Sequence, residues 1–355
     1  MPLYYQVTNL PLLYQIGPGL IGRIPEILEE KNLTFRRVLL LSGSSFSGRI
    51  ADEVLASPGC RGWLRHAVSE GSTEEVDSIA KTLMTQPVEL IVAVGGGKVI
   101  DVAKRVSFLR RVNNLVVPTV VSNDGLISPI SVLRGADGRT ESLPAQMPMG
   151  VIADTAVIGR APVRFLRAAA GDVLSNLSAA RDWEIAAARA GETMHDIPYR
   201  MARMSASSLI HMHDFALDSE EFLTQLINTQ LNSGIAMALA GTSRPCSGSE
   251  HLLSHAIDFL GLSPDTLHGL QVGSTSLFTL YLQGDLPDYC QDYARTFDIP
   301  LVFDELSAAI GPAMPKIVEL ARQMRPGRYT VLDEFTDAEI VQAFQSFKRL
   351  RTPRP

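Results

Sequence analysis

Two histidines four residues apart are the first candidates for chemistry in this sequence. His251 and His255 follow the Ser/Gly-rich run Cys246-Ser247-Gly248-Ser249, a composition that predicts a helix N-terminus. Because a helix makes one turn in about 3.6 residues, both imidazoles lie on one face of that helix. Two ordinary helical histidines would show the same spacing, so the pair alone leaves metal binding and a structural role open.

Two further side chains extend this pair to a candidate metal site. His268 follows in Leu267-His268-Gly269, and Asp172 follows a glycine far upstream, in Ala170-Gly171-Asp172. One carboxylate and two imidazoles form a ligand set that holds a catalytic divalent metal with one coordination position open. The remaining histidines are predicted to be surface or structural residues: His66, His195, His211 and His213.

Three consecutive glycines followed by a lysine form a candidate cofactor loop. Gly95, Gly96, Gly97 and Lys98 stand between a strong strand pattern at 88–94 and a helical pattern from about 99 to 109. Glycine lets the backbone approach a phosphate, and the start of a helix offers N–H groups and a positive dipole end. The run therefore predicts a diphosphate site, to which Lys98 could add a charge. The pattern differs from the Gly-x-Gly-x-x-Gly that usually follows a first strand.

The first half of the chain alternates strand and helix patterns. Apolar runs at 37–41, 88–94, 115–117 and 148–153 predict buried parallel strands, and 128–138 predicts an appended β-hairpin. We therefore predict an α/β domain over 1–161, with a doubly wound, Rossmann-like parallel sheet that binds a dinucleotide. From Pro162 the pattern becomes helical, which predicts an all-α domain over 162–355 for metal and substrate. Its predicted helices include 165–190, 228–240, 251–259, 271–283 and 304–323. A further helix is predicted after Thr336, because Thr336-Asp337-Ala338-Glu339 resembles a capping box.

Composition narrows the class of protein. The 355 residues are 46% hydrophobic and 20% charged, as in a soluble globular protein, and a net charge of −6 does not predict nucleic-acid binding. Cys60, Cys246 and Cys290 are scattered and suggest no disulfide framework. No apolar run approaches the roughly 20 residues of a membrane span, and no signal-peptide pattern opens the chain. These features predict a cytoplasmic protein without a membrane span.

Five motifs in a fixed order give the sequence a family resemblance. Together they resemble sn-glycerol-1-phosphate dehydrogenases, in the superfamily of iron-containing alcohol dehydrogenases, glycerol dehydrogenases and dehydroquinate synthases, over roughly residues 12–345. The motifs are Gly95-Gly96-Gly97-Lys98-Val99-Ile100-Asp101; Pro118-Thr119 with Ser122, Asp124-Gly125 and Ser128-Pro129; Gly171-Asp172 with Ser175-Asn176; Ser247-Gly248-Ser249-Glu250-His251 with His255; and His268-Gly269 with Gln271-Val272-Gly273.

The resemblance implies a role for each matched position. Asp172, His251 and His268 would hold one divalent metal, usually zinc in this family, with iron and nickel as alternatives. Asp172 would also touch substrate. His255 would face the substrate rather than bind the metal, and Asp124 would contact a substrate hydroxyl; both are candidate catalytic residues. The implied nicotinamide-cofactor contacts are Gly95, Gly96, Gly97, Lys98, Asp101, Thr119, Ser122 and Ser128.

The implied activity is interconversion of dihydroxyacetone phosphate and sn-glycerol 1-phosphate with NAD or NADP, by a homo-oligomer. The cofactor choice stays open because the first strand ends in Ser42-Gly43-Ser44-Ser45, without an acid, and Arg49 follows. For the substrate phosphate, the helix start near Ser249 with the hydroxyls of Ser247 and Ser249, and Arg244 nearby in sequence, is the predicted site.

Three other functions remain as alternatives. One is a dehydrogenase of another polyol or of a specialised-metabolite ketone. A second is a dehydroquinate-synthase-like cyclase, although that family typically has Glu where this chain has Asp172. A third is a dinucleotide-binding regulatory protein with a vestigial site, which the intact ligand set does not favour.

Overall fold

The computed structural model describes residues 10–212 and 215–351. They form two compact units, the first comprising the chain up to Pro162 together with Ala216–Ile227, and the second comprising Val163–Phe215 and the chain from Asn228. His213, predicted to be a surface or structural residue, and residues 352–355 lie outside the described ranges. None of the described helices combines the length and apolar character needed to cross a bilayer.

The first unit is an α/β structure. Its strands are β1 (Leu13–Gly17), β2 (Val38–Ser42), β3 (Leu64–Ala67), β4 (Leu90–Gly95), β5 (Asn113–Pro118), β6 (Ile130–Arg134), β7 (Thr140–Pro144) and β8 (Gly150–Asp154). Its α-helices are α1 (Ile24–Glu30), α2 (Phe46–Leu55), α3 (Thr73–Thr85), α4 (Gly97–Arg110) and α5 (Thr155–Ile158), and short 3-10 helices occur at Ile21–Arg23, Pro58–Cys60 and Asp124–Leu126.

Six of these strands form one parallel sheet in the order β1-β8-β5-β4-β2-β3, and β6 and β7 pair as an antiparallel hairpin. The predicted doubly wound sheet and hairpin are therefore confirmed. Every residue of β2 and β4 is buried, which explains their continuous apolar runs. The edge strand β1 was not predicted because only Leu13 in it is buried, so it lacks such a run.

The strand order reverses between β2 and β4. The chain leaves β2 for β3 on one side and returns to β4 on the other, where Ser42 pairs with Val94. In doubly wound sheets a ligand binds beyond the carboxyl ends of the strands at such a reversal. Gly95 ends β4 at this point, Gly96 follows it and Gly97 begins α4, so the topology supports the prediction of this run as the cofactor loop.

The second unit is helical. Its helices are α6 (Val163–Ala190), α7 (Asp196–Ile210), the later part of α8 (Glu220–Ala240), α9 (Ser249–Phe259), α10 (His268–Leu282), α11 (Asp288–Thr296), α12 (Ile310–Met324) and α13 (Asp337–Arg351), with 3-10 helices at Phe303–Glu305 and Val331–Glu334. The prediction of one helix over 304–323 was wrong, because a 3-10 turn precedes α12. The predicted capping box is confirmed, since Thr336 N donates to Glu339 (2.8 Å) and Glu339 N to Thr336 Oγ1 (3.3 Å).

Candidate metal centre and cofactor loop

The three residues predicted as metal ligands come together in the second unit. Asp172 lies within α6, His251 in the first turn of α9, and His268 is the first residue of α10. One potential ligand atom from each lies within 4.8 Å of the other two, and Asp172 and His251 are buried. A carboxylate and two imidazoles converging at this spacing fit a divalent cation with room for a further ligand.

Glycines allow the close helix packing that brings Asp172 to His268. Gly171 of α6 faces Gly269 and Gly273 of α10, and a Cβ added at Gly273 would lie 2.7 Å from the Cα of Gly171. Any larger residue would therefore force the two backbones apart. The glycines beside both predicted ligands serve helix–helix contact, and this contact sets the distance between the ligands.

Hydrogen bonds fix α9 against α10. The Gln271 amide donates to the Ser254 carbonyl (2.9 Å) and to Asp258 Oδ1 (3.0 Å), and Thr275 Oγ1 donates to the Glu250 carbonyl (3.0 Å). All of these donors lie on α10 and all acceptors on α9. The register between the helix that carries His251 and the helix that carries His268 is thus held by buried polar contacts.

His255 lies beside the three candidate ligands. Its ring centroid is 6.0 Å from that of His251 and 6.0 Å from that of His268. Burial lowers the pKa of all three histidines, and the charges of Arg325 and Arg328 add to the effect at His251 and His255. The imidazoles are therefore neutral near pH 7, which is the form that binds metal. A substrate-facing role for His255 stays a prediction.

The predicted phosphate site at the start of α9 is corrected by the structure. The N–H groups of Gly248 and Ser249 already donate to Glu250 (2.5 Å) and Asp182 (2.6 Å), two buried carboxylates. Arg244 is only 3% exposed and pairs with Glu192. Both the helix N–H groups and the arginine are thus engaged within the protein, and an incoming anion would meet two carboxylates.

The three glycines of the cofactor loop differ in their surroundings. A Cβ at Gly95 would lie 2.7 Å from Val99, and one at Gly96 would lie 2.7 Å from Val120, whereas a Cβ at Gly97 would meet nothing within 4 Å. Gly96 is the N-cap of α4, and no side chain caps this helix start. Gly95 and Gly96 are therefore required by packing, while Gly97 leaves open space over uncapped N–H groups that suit a phosphate.

The other predicted cofactor contacts occupy varied positions. Lys98 donates to the Ser69 carbonyl (2.9 Å), and its stem packs along Gly71. Thr119 is buried, with its N–H donating to the Gly95 carbonyl (3.0 Å), and Ser128 is also buried. Ser122 and Asp124 follow β5 and are partly exposed as residues. The carboxyl group of Asp124 is itself shielded from water, and this desolvation raises its pKa to about 6. Their roles toward a cofactor or substrate stay predictions.

Comparison with known proteins places the chain in a family. A family model described as iron-containing alcohol dehydrogenase matches residues 15–162. The glycerol-1-phosphate dehydrogenase [NAD(P)+] of Hyperthermus butylicus is 32% identical over 330 residues, covering 92% of this chain and 93% of that protein. The enzyme of the same name from Thermococcus sibiricus is 36% identical over 340 residues, covering 94% of each chain.

The chain belongs to the glycerol-1-phosphate dehydrogenase family. The resemblance inferred from the five motifs is thereby confirmed. Glycerol dehydrogenase from Schizosaccharomyces pombe has a similar solved structure, with a TM-score of 0.78 and 21% identity over 99% of this chain and 94% of that one. At that identity the likeness concerns the fold alone, and it agrees with the predicted α/β and helical architecture.

Glu250 lies in the candidate metal centre, although the sequence analysis assigned it no role. Its Oε1 lies 2.8 Å from Nδ1 of His251, and its carboxylate is fully buried. A carboxylate at Nδ1 orients the imidazole and directs Nε2 toward a metal. The only sequence signal is that Glu250 immediately precedes His251, which does not reveal that their side chains meet.

Replacing Glu250 by glutamine is expected to weaken metal binding by about 10- to 100-fold, because the charge that supports the His251 imidazole is lost while the side-chain shape is kept. Competition with a chelator of known affinity measures this change. Glu319→Gln, an exposed residue that pairs with Lys316 on α12, serves as the control. Equal metal affinity in both variants would mean that Glu250 does not support the ligand.

Lys104 is a second residue that the motifs did not reveal. It is fully buried in α4, and its ammonium donates to the carbonyls of Gly125 (2.7 Å) and Ile130 (2.5 Å) and lies 3.1 Å from Asp101. These contacts hold the loop that carries Asp124 and Ser128 against α4. They also pair Asp101, a predicted cofactor contact, with a buried internal cation.

Lys104→Met is expected to lower the free energy of unfolding by about 3–5 kcal/mol, because it leaves the Asp101 carboxylate and two carbonyls without their donor. Urea denaturation of the variant measures the loss. Lys98→Met removes an exposed ammonium from the same helix, and its expected effect is within about 0.5 kcal/mol. Similar effects for both lysines would contradict the positioning role of Lys104.

Proposed function

We propose that the protein is an NAD(P)-linked, metal-dependent sn-glycerol-1-phosphate dehydrogenase that interconverts dihydroxyacetone phosphate and sn-glycerol 1-phosphate. The convergence of Asp172, His251 and His268 within 4.8 Å supports the proposal, because it offers a candidate metal site in a chain that belongs to this family. In the reductive direction the ketone carbon gains a hydride and its oxygen gains a proton.

Zinc is the proposed metal. Two neutral imidazoles and one carboxylate are ligands that zinc accepts in catalytic sites. In such sites a carboxylate often hydrogen-bonds a ligand histidine, as the buried Glu250 does with His251. When bound, a divalent cation supplies Lewis acidity at a carbonyl oxygen, and a nicotinamide supplies hydride.

The chain's own side chains are proposed to hold the substrate and move the proton. His255, next to the metal ligands and neutral near pH 7, is the residue proposed to position the substrate oxygen or relay a proton to it. Asp124 is proposed to accept a hydrogen bond from the terminal hydroxyl of the substrate. The first unit is proposed to bind the nicotinamide cofactor through Gly95-Gly96-Gly97.

A cytoplasmic location and a homo-oligomeric state are also proposed. Cys60 and Cys290 are buried free thiols, which suits a reducing compartment. The oligomeric proposal rests on the family resemblance, and sedimentation of the purified protein tests it.

A substrate panel with both cofactors tests the proposed activity. Dihydroxyacetone phosphate, dihydroxyacetone and other small ketones are offered with NADH or NADPH to protein freed of metal and then supplied with zinc, iron or nickel. We expect dihydroxyacetone phosphate to give the highest kcat/KM, and zinc to restore turnover. Preference for a non-phosphorylated ketone would contradict the proposed substrate and would favour the alternative function, a dehydrogenase of another polyol.

A further inference from the structure

Two arginines at the end of α12 converge on one neutral oxygen. Arg325 is the C-cap of α12, and Arg328 follows after Pro326-Gly327. Arg325 Nη1 donates to Ser243 Oγ (2.5 Å), and Arg328 Nη2 donates to the same oxygen (3.0 Å). Arg328 Nη1 donates to the Ser247 carbonyl. Two guanidinium groups are thus held side by side by a hydroxyl and a carbonyl, neither of which carries charge.

This pair lacks the carboxylate partners that other arginines of the unit have. Arg244 pairs with Glu192, and Arg322, on the same helix as Arg325, pairs with Asp333 and Asp337. Within the described ranges neither Arg325 nor Arg328 forms an ion pair with a carboxylate. Burial lowers the pKa of both groups, that of Arg328 to about 9, and the charge of Arg244 adds to the effect, while the charge of Glu250, which pairs with neither arginine, acts against it. Partly buried like charges in contact are unfavourable unless an anion compensates them.

The arginine pair lies next to the metal centre. Ser247, which Arg328 contacts, directly precedes the Gly248 N-cap of α9, and His251 is one turn into that helix. The charges of Arg325 and Arg328 also influence the pKa values of His251 and His255. A small substrate that reaches the metal ligands through one end could therefore reach the arginines through the other.

We propose that Arg325 and Arg328 bind the phosphate of the substrate and determine the preference for a phosphorylated over a non-phosphorylated three-carbon ketone. This inference rests on the proposed function. Guanidinium groups bind phosphate with paired, charge-assisted hydrogen bonds, and two of them supply the positive charge that a phosphate dianion needs. The Ser243 hydroxyl, which now accepts from both arginines, can also donate to a phosphate oxygen.

The test compares two substrates in the metal-loaded enzyme. For Arg325→Gln and Arg328→Gln we expect the ratio of kcat/KM for dihydroxyacetone phosphate to kcat/KM for dihydroxyacetone to fall about 100-fold, with metal content unchanged. Arg328→Lys keeps the charge without the planar fork and should recover part of the ratio. Arg322→Gln, on the same helix with its own carboxylates, is the control and should change the ratio by less than about threefold.

Binding of inorganic phosphate, measured by calorimetry, separates failure of this inference from failure of the proposed function. If the parent protein does not reduce dihydroxyacetone phosphate, the proposed function fails, and phosphate binding that depends on Arg325 and Arg328 still supports the anion site. An unchanged substrate ratio or unchanged phosphate affinity in folded glutamine variants overturns the inference. Where a glutamine variant does not fold, the same comparison is made with Arg325→Lys and Arg328→Lys, and parental values in both lysine variants also overturn it.

Discussion

Replacing His251 by alanine is expected to remove the bound metal and lower turnover by about 10³-fold or more. The imidazole is one of three candidate ligands whose atoms lie within 4.8 Å of one another, and Glu250 orients it for that role. Loss of Lewis-acid assistance costs several kcal/mol of transition-state stabilisation, and about 4 kcal/mol corresponds to the expected change in rate. Metal content by mass spectrometry and turnover are measured on the same preparation.

The His255→Ala variant distinguishes a metal ligand from a neighbouring histidine. His255 lies on the same helix with its ring 6.0 Å from that of His251, so we expect retained metal with a reduced rate. His211→Ala, whose exposed imidazole contacts Tyr289, is the neutral control. A metal-free His251→Ala protein with normal turnover would refute the metal assignment. Metal loss in His255→Ala alone would show that the two roles are exchanged.

Replacing Gly97 by valine is expected to weaken NAD(P) binding by about 100-fold while leaving the fold intact. A Cβ at this position meets no atom within 4 Å, so the sheet and α4 accommodate the side chain. The added methyl groups would occupy the space over the uncapped start of α4, where a diphosphate would otherwise contact backbone N–H groups. Cofactor titration by fluorescence gives the affinity, and thermal unfolding gives the stability.

Variants of two other glycines test whether the loss of cofactor affinity is specific to Gly97. Gly22→Val also adds a side chain in open space in the same unit, and parental cofactor affinity is expected there. Gly95→Ala would place its Cβ 2.7 Å from Val99, so it should lower stability instead. Full cofactor affinity in Gly97→Val would exclude this loop as the diphosphate site.

The parts of the fold that could be predicted are those with a local signal. The buried strands β2 and β4 show continuous apolar runs, and Thr336 with Glu339 shows a capping box, so both were predicted correctly. The edge strand β1 buries too little to show a pattern, and α11 buries only a narrow face around Cys290 and Tyr293. Local pattern fails where tertiary contacts supply the stability.

The candidate metal residues could be named from the sequence because each lies within a short motif with its own glycine or helical spacing. The residues that support them could not. Glu250, Lys104 and the pair of Arg325 and Arg328 act through side-chain contacts that only the folded chain creates. The prediction of a phosphate site at the start of α9 was wrong for the same reason, since Asp182, which is distant in sequence, accepts the hydrogen bond from the N–H group of Ser249.

Identification of the reaction product tests the central proposal most directly. The zinc-loaded protein is given dihydroxyacetone phosphate and NADH or NADPH, and the stereochemistry of the product and the oxidised cofactor are both measured. We predict sn-glycerol 1-phosphate, with one cofactor molecule oxidised for each molecule formed. Formation of sn-glycerol 3-phosphate, turnover without net cofactor oxidation, or no reduction of this ketone under any of the metal conditions would contradict it.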